Sequence, residues 1–293
     1  MKTNRVVGIG DVLWDVFPDR KTMGGTAANA CFHLSQLGID ATLVSAIGDD
    51  PLGSEIHSKL ERKGVKSILE TSSFPTSTVS VELDRGGMPS YTIVDNIAWD
   101  HLTFTDEIRR LAEGCDAVCF GTLAQRCPVS QATILRFLQA MPEGSLRMLD
   151  LNLRSPFYSR EVIDESIRLA DLLKVNEEEL AVLTAFFDLH NEEQTACRRL
   201  METYGLQTVV LTKGEGGSVV FAGDTVSVLP AQHVEVVDTV GAGDAFTAAF
   251  LAAHLNAWGV EEAHRLAVEI SAFVCTRPGG MPELPIKFRD ILK

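Results

Sequence analysis

Residues 24–48 read GGTAANACFHLSQLGIDATLVSAIG. After the glycine pair, Ala27, Ala30, Cys31, Leu34 and Leu37 recur at helical spacing and share a face, and Gly38 stops the run. The apolar, β-branched stretch at 41–48 is then a strand. Upstream, RVVGIG at 5–10 is another short β-branched run ending in glycine, so the chain opens strand, helix, strand. The same alternation continues outward. A helix is expected over 50–64, a strand over 116–121, a helix over 129–141 and a strand over 146–152. A helix and then a strand follow within 162–176, a helix over 192–205, a strand over 207–214 and a helix over 241–255. Strands and helices taking turns predict an α/β fold, with a mainly parallel central sheet and helices on both faces. Thr76 to Asp100 breaks the rhythm by alternating with period two around a Gly-Gly turn, the pattern of a hairpin. With the segment near 12–23 it would form a small β-sheet lid on one domain spanning 1–293.

Composition narrows the class of function. With 45% hydrophobic and 23% charged residues the chain is ordinary for a globular protein. A formal net charge of -14 argues against nucleic acid as a partner, because phosphate backbones are held mainly by Lys and Arg. The six cysteines form no C-x-x-C pair, and the N-terminus carries no apolar signal core, which points to reduced thiols and a cytoplasmic protein. No run reaches the ~18 apolar residues of a membrane helix, so no membrane partner is expected. No G-x-x-x-x-G-K-[ST] or H-E-x-x-H string occurs.

The polar clusters follow strands: Asp11 and Asp15, Gly24 and Gly25, Asn152 and Arg154, Asn176, Thr212 and Gly214, and the loop 238–244. In an open α/β sheet, ligands bind beyond the carboxyl ends of the strands, so these clusters predict one cleft. The loop begins the stretch DTVGAGDAFTAAF at 238–250. Gly241 and Gly243 let the backbone turn tightly and aim several amide N–H groups one way, and the helix starting near Asp244 adds its positive end. That is an anion cradle. At its rim the dipole favours an ionised Asp244 carboxylate, able to take a proton from an alcohol near neutral pH. The plainer alternative is that Asp244 only caps the helix. Transfer of a phosphoryl group to a hydroxyl is a reaction that needs a carboxylate beside such a cradle.

GGTAANACFHLSQLG (24–38) and DTVGAGDAFTAAF (238–250) together resemble the two signatures of the ribokinase-like, or PfkB, carbohydrate kinases, and the likeness runs nearly end to end. The resemblance implies a ribokinase-like fold and ATP-dependent phosphorylation of a sugar. It makes Asp244 the general base and gives the amides of Gly241, Ala242 and Gly243 to the transferring phosphoryl group. Asn176 and Glu179 match an N-x-x-E motif that organises Mg²⁺ and phosphate, although Glu177 and Glu178 beside them are typical of a solvated helix start. Thr212, Gly214 and Gly217 match the nucleotide loop. Asp238, with carbonyls of 275–280, matches a monovalent-cation (K⁺) site. Asp11, Asp15, Gly24, Gly25 and Asn29 match sugar-binding positions, with Arg154 framed by Asp150 and Asn152.

The stretches GDVLWDVFPD, GTLAQR, DLNLRSPF and AWD resemble the bacterial fructokinase branch, so the substrate implied is free fructose, phosphorylated to fructose 6-phosphate. Thr26 replaces the alanine usual in that branch, and Asp11 stands where many fructokinases carry glutamate. The alternatives are 2-keto-3-deoxygluconate, ribose or a nucleoside as substrate, or a non-catalytic sugar-binding protein. Arg126 reads more readily as a surface arginine paired with a nearby acid than as a site residue. Edges of the hairpin sheet would be poorly covered in a monomer, which predicts a homodimer through the lid.

Overall fold

Val6 and Val7 sit side by side on the first strand, β1 (Arg5–Ile9), yet they enter two different hydrophobic cores. The strands that follow in the sheet repeat the split: Cys119 against Val118 and Phe120, Met148 against Leu149, Leu172 against Leu173, Val210 against Val209. Such strands are apolar on both faces, so they read as continuous runs and require helices above and below. The computed structural model describes residues 4–17, 20–83 and 89–292, and the fold is taken from these.

Along the chain, β1 is followed by β2 (Leu13–Val16), β3 (Lys21–Gly24), α1 (Thr26–Gln36), β4 (Asp40–Gly48), α2 (Pro51–Arg62) and β5 (Lys66–Ser72). Then come β6 (Thr78–Leu83), β7 (Pro89–Ile93), a 3₁₀ turn at Ala98–His101 and α3 (Asp106–Ala112). The middle of the chain is β8 (Ala117–Phe120), a 3₁₀ turn at Leu123–Gln125, α4 (Pro128–Ala140), β9 (Leu146–Asp150), α5 (Arg160–Arg168), β10 (Leu172–Asn176), α6 (Glu177–Phe187) and α7 (Glu193–Tyr204). The rest is β11 (Thr208–Thr212), β12 (Ser218–Ala222), β13 (Thr225–Leu229), α8 (Ala242–Leu255), α9 (Val260–Cys275) and α10 (Ile286–Arg289).

Nine strands form one sheet in the order β13-β12-β11-β10-β9-β8-β1-β4-β5. Seven are parallel, and only β12 and β13, joined by a tight turn at Ala222 to Thr225, run antiparallel to their neighbours. Helices α1, α2, α8 and α9 cover one face, and α3 to α7 the other. Helix α8 is buried on all sides from Ala245 to Ala253, and its alanines let α1 and α9 approach closely. A similar close fit seats α1 on β1, where a Cβ on Gly8 would lie 2.5 Å from Cys31 Sγ.

A separate four-stranded sheet, ordered β3-β2-β6-β7, stands over the carboxyl ends of β1 and β9 to β11 as a lid. Strands β6 and β7 pair antiparallel, and β2 pairs parallel with β6. The period-two alternation continues in the sequence as far as Asp100, but pairing ends at Ile93. Residues 98–100 are instead buried in a 3₁₀ turn, because Ala98 donates to the Pro75 carbonyl and Trp99 fills the core. The Gly-Gly turn at 86–87 lies outside the described residues. None of the six cysteines is in a disulfide, and among the described residues no helix is long and apolar enough to cross a membrane.

Candidate active site

Between the lid and the sheet lies a cleft of about 480 Å³. It is lined by Asp11, Asp15, Gly25, Asn29, Arg154, Asn176, Glu179, Thr212, Gly241, Gly243 and Asp244, all expected from sequence. Lys174 and Asp150 form part of its wall, and Leu13, Val79 and Ile93 face it from the lid. Gly24, Ala242, Gly214, Gly217 and Asp238 do not line it.

The anion cradle is built by the start of α8. Gly241 caps the helix in the left-handed region at φ 74°, and a Cβ there would fall 2.4 Å from Gly280 Cα, so only glycine fits. The Ala242 N–H, expected to face the ligand, instead donates to the Thr239 carbonyl at 3.2 Å. Among the described residues, the amides left without a protein acceptor are those of Gly241, Gly243 and Asp244, as the first turn of a helix allows. Asp238 holds this loop in place: its carboxylate accepts the N–H groups of Val240 (3.0 Å) and Gly279 (2.9 Å). Within the 275–280 stretch expected to offer carbonyls to a monovalent cation, the Cys275 carbonyl accepts from the Val237 and Asp238 N–H groups, and the Gly280 carbonyl accepts from His33.

Lys174 comes up beneath the cradle, its Nζ 3.2 Å from where a Gly243 Cβ would stand. It is 93% buried by its 7% exposure and is gripped by both oxygens of Asp150, at 2.8 and 2.9 Å. Asp150 also accepts the Thr247 hydroxyl at 2.7 Å. Burial works against the ammonium, but Asp150, Glu179 and Asp244 around it outweigh that and raise its pKa. This cation was not anticipated. The signal for it was a lysine inside the apolar strand LLKVN, which a buried parallel strand tolerates only if the charge is paired.

Asp244 lies at the rim in the first turn of α8, and the Asn29 amide donates to its Oδ2 at 2.7 Å. Its state differs from the expectation of a freely ionised acid. Burial, then the Asp150 and Asp11 charges, push its pKa up to about 7, against the pull of Asn29 and Lys174. A carboxyl balanced there is better matched to proton transfer at neutral pH than an ordinary aspartate.

The sugar-side residues sit opposite. Asp11, at the end of β1, is raised by burial and accepts the Thr26 N–H at 2.9 Å, which opposes that rise. Asp15, on β2, is raised to about 6 by burial and by Asp11 and Asp238. Gly24 makes room for it, since a Cβ there would lie 2.8 Å from the Asp15 carboxylate. Gly25 starts α1 at φ 109° and brings the backbone against the Asp11 carbonyl. Asn152, in the left-handed region at φ 45°, donates to the Thr26 hydroxyl at 2.6 Å, and Arg154 reaches out exposed from the same turn.

On the nucleotide side, Asn176 and Glu179 form a capping box at the start of α6: Asn176 Oδ1 accepts the Glu179 N–H, and Glu179 Oε2 accepts the Asn176 N–H. Glu179 Oε1 accepts from the Leu153 N–H. Thr212 ends β11 in the cleft. Gly214 and Gly217 stand behind it, and Gly217 is required at φ 89° because a Cβ would meet the Leu229 carbonyl at 2.3 Å. Among the described residues no three His, Cys, Asp or Glu side chains gather as a metal cluster. The oxygen donors Asn176 and Glu179 nonetheless suit Mg²⁺, which takes one or two carboxylates and completes its shell with waters and phosphate oxygens.

The family described as "pfkB family carbohydrate kinase" matches residues 8–287. An uncharacterized sugar kinase of Pyrococcus horikoshii is 31% identical over 85% of this chain and 78% of its own length. Its crystal structure, described as that of an uncharacterized sugar kinase, superposes with a TM-score of 0.84 over 99% of this chain and 100% of its own. A fructokinase of Klebsiella pneumoniae is 30% identical over 95% of both chains. The aminoimidazole riboside kinase of Salmonella enterica, solved with its riboside and an ATP analog, is 26% identical with a TM-score of 0.80 over 99% and 98% of the two chains. The ribokinase-like fold expected from the two signatures is thereby established.

Proposed function

The chain belongs to the pfkB family of carbohydrate kinases, and from that premise we propose that it transfers the γ-phosphoryl group of ATP to a primary hydroxyl of a free sugar, most favourably O6 of fructose. One observation carries this reading: the Asp244 carboxyl, held by the Asn29 amide, stands in the cleft beside three amides that have no protein acceptor among the described residues. Asp11, Asp15 and Asn152 hold the sugar hydroxyls, and Arg154 closes the outer side. Asp244 takes the hydroxyl proton as the oxygen attacks. The amides of Gly241, Gly243 and Asp244, with the Lys174 charge beneath them, offset the negative charge on the phosphoryl oxygens. Lid residues Leu13, Val79 and Ile93 exclude water that would otherwise compete for ATP.

ATP as donor is supported by a structure of the P. horikoshii relative solved with ATP, 27% identical to this chain. Asn176, Thr212, Gly214 and Gly217 are assigned to the nucleotide side. Mg²⁺ would be held by Glu179 and Asn176, and when bound it supplies positive charge to the phosphate oxygens. K⁺ at Asp238 and the 275–280 carbonyls belongs to the same reading, with each Asp238 oxygen also accepting one loop amide, from Val240 and from Gly279. A cytoplasmic homodimer joined through the lid belongs to the same reading.

A second substrate class is favoured by the apolar side chains over the sugar subsite. Leu13, Val79, Ile93 and Leu123 would cover the base of a nucleoside as readily as they cover a bare sugar. The test is ADP release with ATP and a panel of fructose, ribose, 2-keto-3-deoxygluconate and nucleosides. The highest kcat/KM on fructose supports the first reading. A nucleoside preference replaces it with the second, and no release with any member overturns the kinase assignment.

A further inference from the structure

Arg126 is absent from the cleft lining, yet its side chain is only 5% exposed, and it touches segments whose neighbouring residues, Ile93 and Arg154, line the cleft. It is not the surface arginine that its sequence context suggested. Its Nε and Nη2 grip Asp100 in a two-pronged pair at 2.8 and 2.9 Å, and Asp100 is 2% exposed. Nη2 also donates to the Val94 carbonyl at 2.6 Å. The guanidinium lies 4.3 Å from the ring centre of Trp99 and 4.5 Å from that of Phe157.

These partners come from two separate structures. Val94, Trp99 and Asp100 form the return leg of the lid, and Val94 directly follows Ile93, which lines the cleft. Phe157 belongs to the turn after β9 that carries Asn152 and Arg154, and its N–H donates to the Arg154 carbonyl at 2.7 Å. Arg126 itself follows the 3₁₀ turn whose Leu123 is a third part of the cleft wall. Asp100 in addition accepts the Ile97 N–H at 3.2 Å, which ties the leg to the same charge. A planar fork with two faces can bind a carboxylate edge-on while presenting a flat face to a ring, and lysine cannot do both.

We propose that Arg126 is a positioning residue that couples the lid to the Asn152–Arg154 turn, so that the two halves of the sugar subsite move together. The catalytic consequence rests on the kinase reading above, but the coupling does not. Two variants cut the link from opposite sides. Phe157→Leu removes only the contact on the turn, and Asp100→Asn weakens only the contact on the lid leg. Amide hydrogen exchange then reads each effect at the far side of Arg126. Coupling is reciprocal and typically about 5–150-fold, so Phe157→Leu should speed exchange at 94–97, and Asp100→Asn at 152–158, each by about fivefold or more. Exchange that changes only next to the substituted residue, in either variant, overturns the proposal whether or not the chain phosphorylates sugars.

With the best sugar of the panel, Arg126→Lys should raise the sugar KM about tenfold while kcat and the KM for ATP stay within about twofold. A mere brace would instead lower the melting temperature and kcat and leave the sugar KM unchanged. If Arg126→Lys does not fold, the sugar KM of Phe157→Leu decides, and an unchanged value there also overturns the proposal.

Discussion

The chemistry turns on one carboxyl. Asp244 is raised to about 7 because burial and the Asp150 charge disfavour its ionised form more than Asn29 and Lys174 favour it. If ionised Asp244 is the base, kcat/KM should rise with pH through a midpoint near 7. Asn29 donates to the ionised form, so Asn29→Ala should move that midpoint to higher pH, as kcat/KM measured from about pH 5.5 to about pH 9 would record. An unmoved midpoint would separate the titration from Asp244. The same shift affects stability. Since Asp244 holds its proton more tightly folded than unfolded, its contribution is full below pH 3.8 and is lost as pH rises through about 7. Asp244→Asn should therefore stabilise the protein against urea at pH 8 relative to pH 4. The difference should be on the order of a few kcal/mol at most. His33 and His264, held near 4 by burial, work in the opposite direction as pH falls, and comparing variant with parent cancels them.

At the scale of elements, the start of α8 could be read from the sequence because its demands are local. Gly241 must adopt a positive φ, and glycine at 241 and 243 beside an acid announces that geometry. Gly241→Ala should cost about 1–3 kcal/mol of stability through backbone strain. It should also lower kcat more than tenfold, because the new Cβ would push Gly280 and turn the cradle amides; melting curves and steady-state kinetics check both. The amide assignment was less legible, since nothing in GAGD says that Thr239 would claim the Ala242 N–H. Lys174 was hidden for a related reason. Its partner Asp150 is on the neighbouring strand, 24 positions away, and only the sheet register brings the two together. Likewise the N-x-x-E string was visible, but its reciprocal cap at the start of α6 depends on backbone geometry.

For the whole molecule, the alternation of strands and helices carried the parallel sheet, because each strand buried on two faces is a continuous apolar run. The antiparallel pair β12 and β13 was missed beyond Thr212, where short strands joined by a two-residue turn leave no helix to mark them. In the lid, β3 and β7 are edge strands with unpaired backbone groups among the described residues, which is the physical ground for association through that sheet. Light scattering should give twice the mass of the 31.9 kDa chain, and a charge placed at Thr22 on β3 should shift it toward the monomer. A monomeric mass for the unmodified chain would remove the lid interface. Phosphoryl transfer in this cleft depends on Asp244 acting as the base while the other binding groups stay in place. The most direct measurement is turnover of Asp244→Asn beside its affinity for ATP by calorimetry. The prediction is a kcat lower by about 10²–10⁴ with ATP affinity nearly unchanged, and near-normal turnover in that variant would contradict it.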